Sequence, residues 1–189
     1  MSEASKIQLI EYARKMNRSG INQGTSGNLS LRQDDGMLIT PSAVPYDDLE
    51  PGDIVQVNFD GSAVGSRKPS SEWRLHLDVY RARPDARAIL HAHPVHCTAL
   101  ACTRRGIPAF HYMVAVAGGS DIRCSPYATF GTQELSEHAV AALEGRKACL
   151  MANHGLVCLA DNLHAALALA IEIESLARSY LQCLSLIHI

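Results

Sequence analysis

The chain has 189 residues, of which 47% are hydrophobic, and its formal net charge is −2. This length predicts one domain with a sizeable core, and the charge argues against nucleic acid or an anionic membrane as a partner. The polar N-terminus lacks a signal-peptide pattern, no apolar stretch reaches transmembrane length, and the six cysteines lack C-x-x-C spacing; we therefore expect a cytoplasmic protein.

The first half of the chain predicts two helices with three short strands between them. Apolar residues at helical spacing run from Ile7 to Met16, and Gly20 is a candidate helix end. Three alternating segments are typical of strands: residues 29–31, 37–40 and 54–59. A second helical pattern begins at Ser70 and ends at Arg83, before a proline.

The second half continues this alternation of strands and helices. The segments that we predict as strands are residues 88–93, 111–117, 148–152 and 156–159. The segments that we predict as helices are residues 97–103, 136–143 and a long one from the candidate N-cap Asp161 to Leu181. Because short turns join several strand pairs, the pattern favours a mixed or antiparallel sheet with helices around it.

We assign residues 1–183 to a single domain. The last six residues, 184–189, are mostly apolar and end without a helix cap or a polar tail. We expect these six residues to be a non-native tail on a truncated C-terminus, and the alternative is an ordinary apolar terminus.

Three histidines follow predicted strands and indicate a metal site. His91 and His93 are two residues apart, so on a strand their side chains point to the same face. His154 follows another short apolar run, where a second strand ends. Three neutral imidazoles around an open position match the ligand count of a catalytic zinc ion. The alternative is that these are ordinary core or surface histidines.

Three segments of small residues indicate an anion site: residues 24–28, residues 40–43 and the pair Ser70-Ser71. Glycine allows backbone N–H groups to approach an oxyanion, and the free N–H groups at a helix start favour negative charge. Each segment alone is more often a plain turn or cap. Glu72 follows the serine pair, and it is either a helix-start acid or a carboxylate that serves the metal site.

Six stretches of the chain together resemble the class II aldolase/adducin family, and most closely its members that cleave L-fuculose phosphate. These stretches occur in family order and extend from the first helix to about Leu181. They are residues 22–30, 68–74, 91–93, 111–119 (His-Tyr-Met and Ala-Gly-Gly), 126–132 and 153–155.

The resemblance implies a three-layer α/β/α fold with a largely antiparallel sheet, and a cyclic homotetramer whose active sites lie between subunits. It implies zinc bound by His91, His93 and His154, with Glu72 as fourth ligand and as general acid/base. Tyr112, a type of residue that is usually in the core in such a setting, would donate a proton in a neighbour's site. The residues that would hold a sugar phosphate are Gly27, Asn28, Ser42, Ala43, Ser70 and Ser71.

The activity that the resemblance implies is zinc-dependent retro-aldol cleavage of a ketose 1-phosphate, such as L-fuculose 1-phosphate or a related deoxyketose phosphate. The products would be dihydroxyacetone phosphate and a short aldehyde such as L-lactaldehyde. The alternatives are a pentulose-phosphate 4-epimerase or another zinc lyase of the family, and a non-catalytic adducin-like module. Glu72 favours the aldolase, because the epimerases carry aspartate there. The three histidines argue against the module, whose members lose zinc ligands.

Two features depart from the family pattern. Ala43 stands where the aldolases have glycine, and a positive φ there would be strained by the methyl group. The family's C-terminal segment, which carries a further active-site tyrosine, is missing from the sequence.

Overall fold

The computed structural model describes residues 3–186, which contain five α-helices, three short 3₁₀ helices and eight strands. The helices are α1 (Glu3–Arg18), α2 (Trp73–Ala82), α3 (Val95–Cys102), α4 (Gln133–Ala142) and α5 (Leu163–Leu186). The strands are β1 (Asn28–Gln33), β2 (Gly36–Ile39), β3 (Val55–Asn58), β4 (Ala63–Val64), β5 (Ala88–Ala92), β6 (Arg123–Ser125), β7 (Ala148–Met151) and β8 (Gly155–Ala160).

All eight strands form one sheet in the order β4-β3-β2-β1-β5-β8-β7-β6. Every neighbouring pair is antiparallel except β6 and β7, so the prediction of a largely antiparallel sheet is confirmed. At the centre of the sheet, His91 on β5 lies opposite Asn28 on β1 and Val157 on β8. This register brings the start of β1 next to the end of β5.

The two faces of the sheet carry separate apolar cores, which confirms the three-layer α/β/α prediction. One face packs against α1, α3 and α5 through residues such as Leu29 and Leu90. The other face packs against α2 and α4 through residues such as Ile89 and Val157. Because side chains alternate along a strand, Asn28, which precedes Leu29, faces α2.

The structure differs from the predicted elements in several places. It adds strands β4 and β6, it begins α3 and α4 two and three residues earlier than predicted, and it differs at residues 111–117 and at the starts of α2 and α5. Residues 111–117 are not a strand but a 3₁₀ helix, Tyr112–Ala117, which His111 caps by accepting a hydrogen bond from the Met113 N–H group. In such a short apolar segment the spacing of residues does not distinguish a strand from a turn of helix. Helix α2 begins at Trp73, after Glu72 as N-cap, because Trp73 N first closes a turn on the Ser70 carbonyl at 3.0 Å.

The start of α5 is also one residue later than predicted. The side chain of Asn162, rather than that of Asp161, accepts the capping hydrogen bond from Ala165 N at 2.8 Å. Residues 184–186 of the predicted tail continue α5, and residues 187–189 lie outside the described part of the chain. Within residues 3–186, no helix combines the length and hydropathy that a membrane span requires.

Candidate active site

The structure brings the three histidines predicted as metal ligands to one point, where the central strand β5 ends and its neighbour β8 begins. His91 lies on β5, His93 follows the end of β5, and His154 lies in the turn between β7 and β8. Their ring centroids are 4.8 to 5.0 Å apart, and one nitrogen of each lies within 4.8 Å of the others. They meet because β8 pairs with both β5 and β7.

Two glycines allow this close approach of backbone and imidazole. A Cβ atom on Gly155 would lie 2.5 Å from the Ala92 carbonyl oxygen and 2.7 Å from Cδ2 of His93. A Cβ atom on Gly27 would lie 2.6 Å from the His91 carbonyl oxygen. Gly27, which the resemblance assigned to phosphate binding, is therefore also required by the packing beneath His91.

The hydrogen bonds of His91 orient its ring toward the cluster. Its Nδ1 lies 3.0 Å from the carbonyl oxygen of Leu156. A carbonyl only accepts, so Nδ1 carries a proton and Nε2 faces the other groups. That Nε2 lies 2.9 Å from Nε2 of His93 and 3.0 Å from Oε2 of Glu72. This orientation is the one that metal-bound histidines adopt.

Glu72 completes the cluster from the N-cap position of α2, and its side chain is buried. One carboxylate oxygen, Oε2, accepts a hydrogen bond from Asn28 Nδ2 at 3.0 Å. The other, Oε1, lies 3.2 Å from Nε2 of His154 and has no hydrogen-bond partner among the described residues. A buried carboxylate oxygen without a donor is costly, and a cation would satisfy it.

The electrostatics of the cluster favour one positive charge beside Glu72. Burial lowers the pKa of His93 to about 4 and the pKa of His154 to about 4, so both rings are neutral near pH 7. Burial opposes charge on His91 and Glu72 as well. Their mutual attraction outweighs burial, however, raising the pKa of His91 and lowering that of Glu72. Three imidazoles and a carboxylate fit a zinc ion.

The segments predicted to hold phosphate are neighbours in the fold. Ser42 N donates to the Lys68 carbonyl at 3.0 Å, and Ser70 N donates to the Thr40 carbonyl at 3.1 Å. Leu29 N donates to Thr40 Oγ1 at 3.3 Å, which ties β1 to the same place. The backbone at Ala43 has φ +60°, so the strain that its methyl group implies is present.

The predicted phosphate residues differ in their access to a ligand. Ser71 is exposed and lines a cavity of about 350 Å³ that also contains Glu72 and two of the histidines. Ser70 is buried, and its hydroxyl accepts from Glu72 N at 3.3 Å. Ser42 and Ala43 are exposed at the surface beside Ser70. The Asn28 side chain is occupied by its bond to Glu72.

The cavity also has walls that the sequence did not single out as site residues. They are Tyr127, Ala128, Phe130 and Asn153. Thr25 and Ser26, which belong to the predicted anion segment 24–28, line the cavity as well. Tyr127 and Phe130 are 53% and 64% exposed, which is unusual for large apolar rings. Their stretch, Pro-Tyr-Ala-Thr-Phe-Gly-Thr, carried the family resemblance, but no residue period marked it as a cavity wall.

Tyr112 does not contribute to this cavity in its own chain. It begins the 3₁₀ helix and is 82% exposed, so the expectation that it is usually a core residue does not apply. If the hydroxyl of Tyr112 acts in catalysis, it must therefore act on a site other than the cavity of its own chain.

Residues 7–181 match the family model described as Class II Aldolase and Adducin N-terminal domain, and the chain belongs to this family. A 5-methylthioribulose-1-phosphate/5-deoxyribulose-1-phosphate aldolase from Rhodospirillum rubrum is 56% identical over 178 residues, which cover 94% of this chain and 80% of the relative. An L-fuculose phosphate aldolase from Escherichia coli K12 is 52% identical over 179 residues, which cover 95% and 83% respectively.

Solved structures agree with this placement. A structure described as L-fuculose 1-phosphate aldolase superposes with a TM-score of 0.95 at 43% identity, covering 98% of this chain and 89% of the other. These relatives are class II aldolases, and the chain is accordingly a lyase of this family.

Proposed function

We propose that the protein is a zinc-dependent aldolase that cleaves a ketose 1-phosphate to dihydroxyacetone phosphate and a short aldehyde. The observation that carries the proposal is the convergence of three imidazoles on Glu72, whose Oε1 has no hydrogen-bond partner in the described chain. These groups lie in one cavity with the exposed hydroxyl of Ser71.

His91, His93, His154 and Glu72 would hold the metal ion. Zinc bound there would act as a Lewis acid toward the negative charge that develops when the carbon–carbon bond breaks. A metal ion in this role replaces the imine that a lysine would form with the substrate. All four lysines of the chain lie in polar or boundary settings of the sequence, and none has the desolvated setting of an imine-forming lysine.

The chain's own groups would handle the proton and the phosphate. Glu72 lines the cavity, and its Oε1, which has no hydrogen-bond partner among the described residues, is the carboxylate oxygen that could accept or return a proton. Thr25 and Ser71 line the same cavity, and their hydroxyl groups would donate to phosphate oxygens. Backbone hydrogen bonds from Ser42 N and Ser70 N join the small-residue segments at 40–43 and 70–71, and the neighbouring N–H groups of Ala43 and Ser71 would add donors.

The aldehyde half of the substrate would lie against Tyr127 and Phe130. Their exposed rings give the cavity an apolar edge that suits a methyl or thioether group better than a hydroxymethyl group. The names of the relatives, which refer to L-fuculose phosphate, 5-deoxyribulose phosphate and 5-methylthioribulose phosphate, share that deoxygenated end.

A panel assay tests the function. Metal-loaded protein is mixed with each of these three ketose 1-phosphates, and dihydroxyacetone phosphate is followed with a coupled dehydrogenase. Release of this product from at least one of them is expected, and free ketoses should react far more slowly. Conversion of a pentulose phosphate to its 4-epimer without this product would support the epimerase instead.

Charge reversal tests the role of Ser71. In Ser71→Asp, a carboxylate would face the phosphate dianion in a poorly solvated cavity, where like charges repel strongly. The KM for the phosphorylated ketose should rise steeply while the zinc content stays the same. Ser179→Asp, on an exposed face of α5, is the control with the same charge change. Equal KM values for the two variants would refute phosphate binding at Ser71.

We also propose a homotetramer in which Tyr112 acts in a neighbour's site, because Tyr112 is 82% exposed and lies outside the cavity of its own chain. Light scattering measures the assembly. Tyr112→Phe and His93→Ala, each inactive or weak alone, should regain part of the activity when subunits are mixed. Mixed subunits that stay inactive would show that each chain uses its own tyrosine or none.

A further inference from the structure

A row of five buried polar side chains leads away from the cluster, between β1 and α2; we call it the polar seam. It contains Asn28 and Ser30 on β1 with Glu72, His76 and Tyr80 on α2 or its N-cap, and each is at most 5% exposed. An apolar core usually fills the space between a sheet and a helix, so a continuous polar row there requires an explanation.

Four hydrogen bonds connect the polar seam. Asn28 Nδ2 donates to Glu72 Oε2 at 3.0 Å, and Asn28 Oδ1 lies 2.5 Å from Nε2 of His76. Nδ1 of His76 lies 2.7 Å from the Ser30 hydroxyl. That hydroxyl lies 2.9 Å from the hydroxyl of Tyr80.

The regular repeats of strand and helix produce this row. Two residues along a strand advance about 6.6 Å, and four residues along a helix advance about 6 Å. Strand residues two apart therefore keep pace with helix residues four apart, and each of the two strand side chains lies between two successive side chains of the helix row. Asn28 and Ser30 are the strand residues, and Glu72, His76 and Tyr80 form the helix row.

The donors and acceptors of the polar seam allow one direction only. The carboxylate of Glu72 accepts, so Asn28 turns its NH₂ group to it and its Oδ1 to His76. Nε2 of His76 must then carry the proton, and Nδ1 must accept from Ser30. Burial lowers the pKa of His76 to about 3, so the ring is neutral and can hold this tautomer. Because the Ser30 proton is given to Nδ1, the hydroxyl of Ser30 accepts from that of Tyr80 at 2.9 Å, which is shorter than the 3.5 Å contact of the Tyr80 hydroxyl with the Arg87 carbonyl oxygen.

We infer that His76 is a positioning residue, which acts through the Asn28 amide to hold Glu72 Oε2 and to leave Oε1 free toward His154. A rotated Asn28 amide would set Oδ1 against the carboxylate and NH₂ against the Nε2–H group of His76, and both contacts are repulsive. The polar seam therefore fixes the carboxylate that performs proton transfer, and the inference rests on the proposed catalytic role of Glu72.

Two substitutions of similar size separate positioning from packing. In His76→Gln the amide nitrogen reaches about as far as the imidazole Nε2 and can still donate to Asn28. In His76→Asn the shorter side chain ends near the place of Nδ1 and cannot. We expect His76→Gln to retain most of kcat, and His76→Asn to lose roughly 10- to 100-fold in kcat with little change in KM. Equal kcat values for the two variants would overturn the inference.

Removal of single hydroxyl groups provides the second test, should the His76 variants fail to fold. Ser30→Ala deletes the donor to Nδ1 and should lower kcat. Ser136→Ala is the matched control, because its hydroxyl is also fully buried and bonds Asp78 Oδ2 at 2.7 Å on the outer side of α2. If Ser30→Ala changes only the melting temperature, as expected for Ser136→Ala, the polar seam is purely structural and the inference is wrong.

Nitrogen-15 NMR of the metal-loaded protein observes the tautomer directly and needs no substrate. The His76 ring, assigned by its loss in His76→Gln, should show a protonated Nε2 and an unprotonated Nδ1 from pH 6 to pH 8. A protonated Nδ1 or an imidazolium would overturn the inference. If the unmodified protein cleaves no ketose phosphate yet shows this tautomer, the proposed function fails while the hydrogen-bond direction stands.

Discussion

Gly155→Ala should weaken metal binding although position 155 is not itself a ligand. The added Cβ atom would lie 2.7 Å from Cδ2 of His93 and 2.5 Å from the Ala92 carbonyl oxygen, whereas real Cβ atoms essentially never come within 3.0 Å. The ring must therefore retreat by at least about 0.3 Å, and the strand end by about 0.5 Å. A metal site tolerates errors of about 0.2 Å in its ligand distances, so His93 would leave its productive position.

The expected loss in zinc affinity is on the order of 10- to 100-fold, the range seen when the groups that orient a ligand are changed. Competition with a chromophoric chelator at pH 7 measures the dissociation constant. Gly52→Ala is the matched control, because a Cβ atom at Gly52 meets nothing within 4 Å and its φ is not positive. If Gly155→Ala binds zinc as tightly as Gly52→Ala, then His93 is not a ligand or the site absorbs the shift.

Four further outcomes are expected. The unmodified protein should contain about one zinc ion per chain, and His93→Ala should lose both the zinc and the activity. Plasma emission spectroscopy measures the metal, and a fully active preparation without metal would refute the site. Glu72→Gln should keep its fold, as circular dichroism reports, but lose about 10²- to 10⁴-fold in turnover, because an amide accepts no proton; unchanged turnover would leave Glu72 a helix cap only. Ala43→Gly should raise the melting temperature by roughly 1–4 °C, because removing the steric strain of the methyl group at φ +60° outweighs the entropy that glycine adds to the unfolded chain. A lower melting temperature would show that this backbone is not strained. Folding lowers the pKa of His76 from 6.5 to about 3, so between these pH values only the unfolded chain binds the proton, and the free energy of unfolding should fall as the pH falls, by about 2 kcal/mol at pH 5. Urea unfolding should therefore show a shallower dependence of stability on pH in His76→Gln than in the unmodified protein. Identical slopes would contradict a buried neutral ring.

Residues whose placement depends on a local repeat could be predicted from the sequence. His91 and His93 share a face because strands alternate, and the short turns between strands predicted a mixed or antiparallel sheet. The run 111–117 was misassigned because a short apolar segment fits a strand or a helical turn equally well. In the structure a glycine with φ +90°, Gly118, ends it as a 3₁₀ helix.

Residues whose role depends on the register between elements could not be predicted. The sequence shows Asn28 and Ser30 two apart and His76 and Tyr80 four apart, but it does not show that these pairs lie opposite each other. Only the pairing of β1 with β5 and the packing of α2 on that face align them. For the same reason the sequence did not show that the side chain of Asn28 lies between Glu72 and His76, and phosphate binding at Asn28 stays a prediction.

The polar seam also explains why stability and activity should respond differently to change in this region. Its groups are buried where an apolar core would otherwise pack, and each net hydrogen bond contributes only about 1 kcal/mol. Replacing Ser30 and His76 together by apolar residues removes their mutual hydrogen bond as a pair. It also takes these partners away from Asn28 Oδ1 and the Tyr80 hydroxyl, so it should cost roughly 1–3 kcal/mol for each unpaired group. The carboxylate of Glu72 would lose its fixed orientation all the same. A loss of kcat larger than the loss of stability accounts for is thus what a positioning role implies.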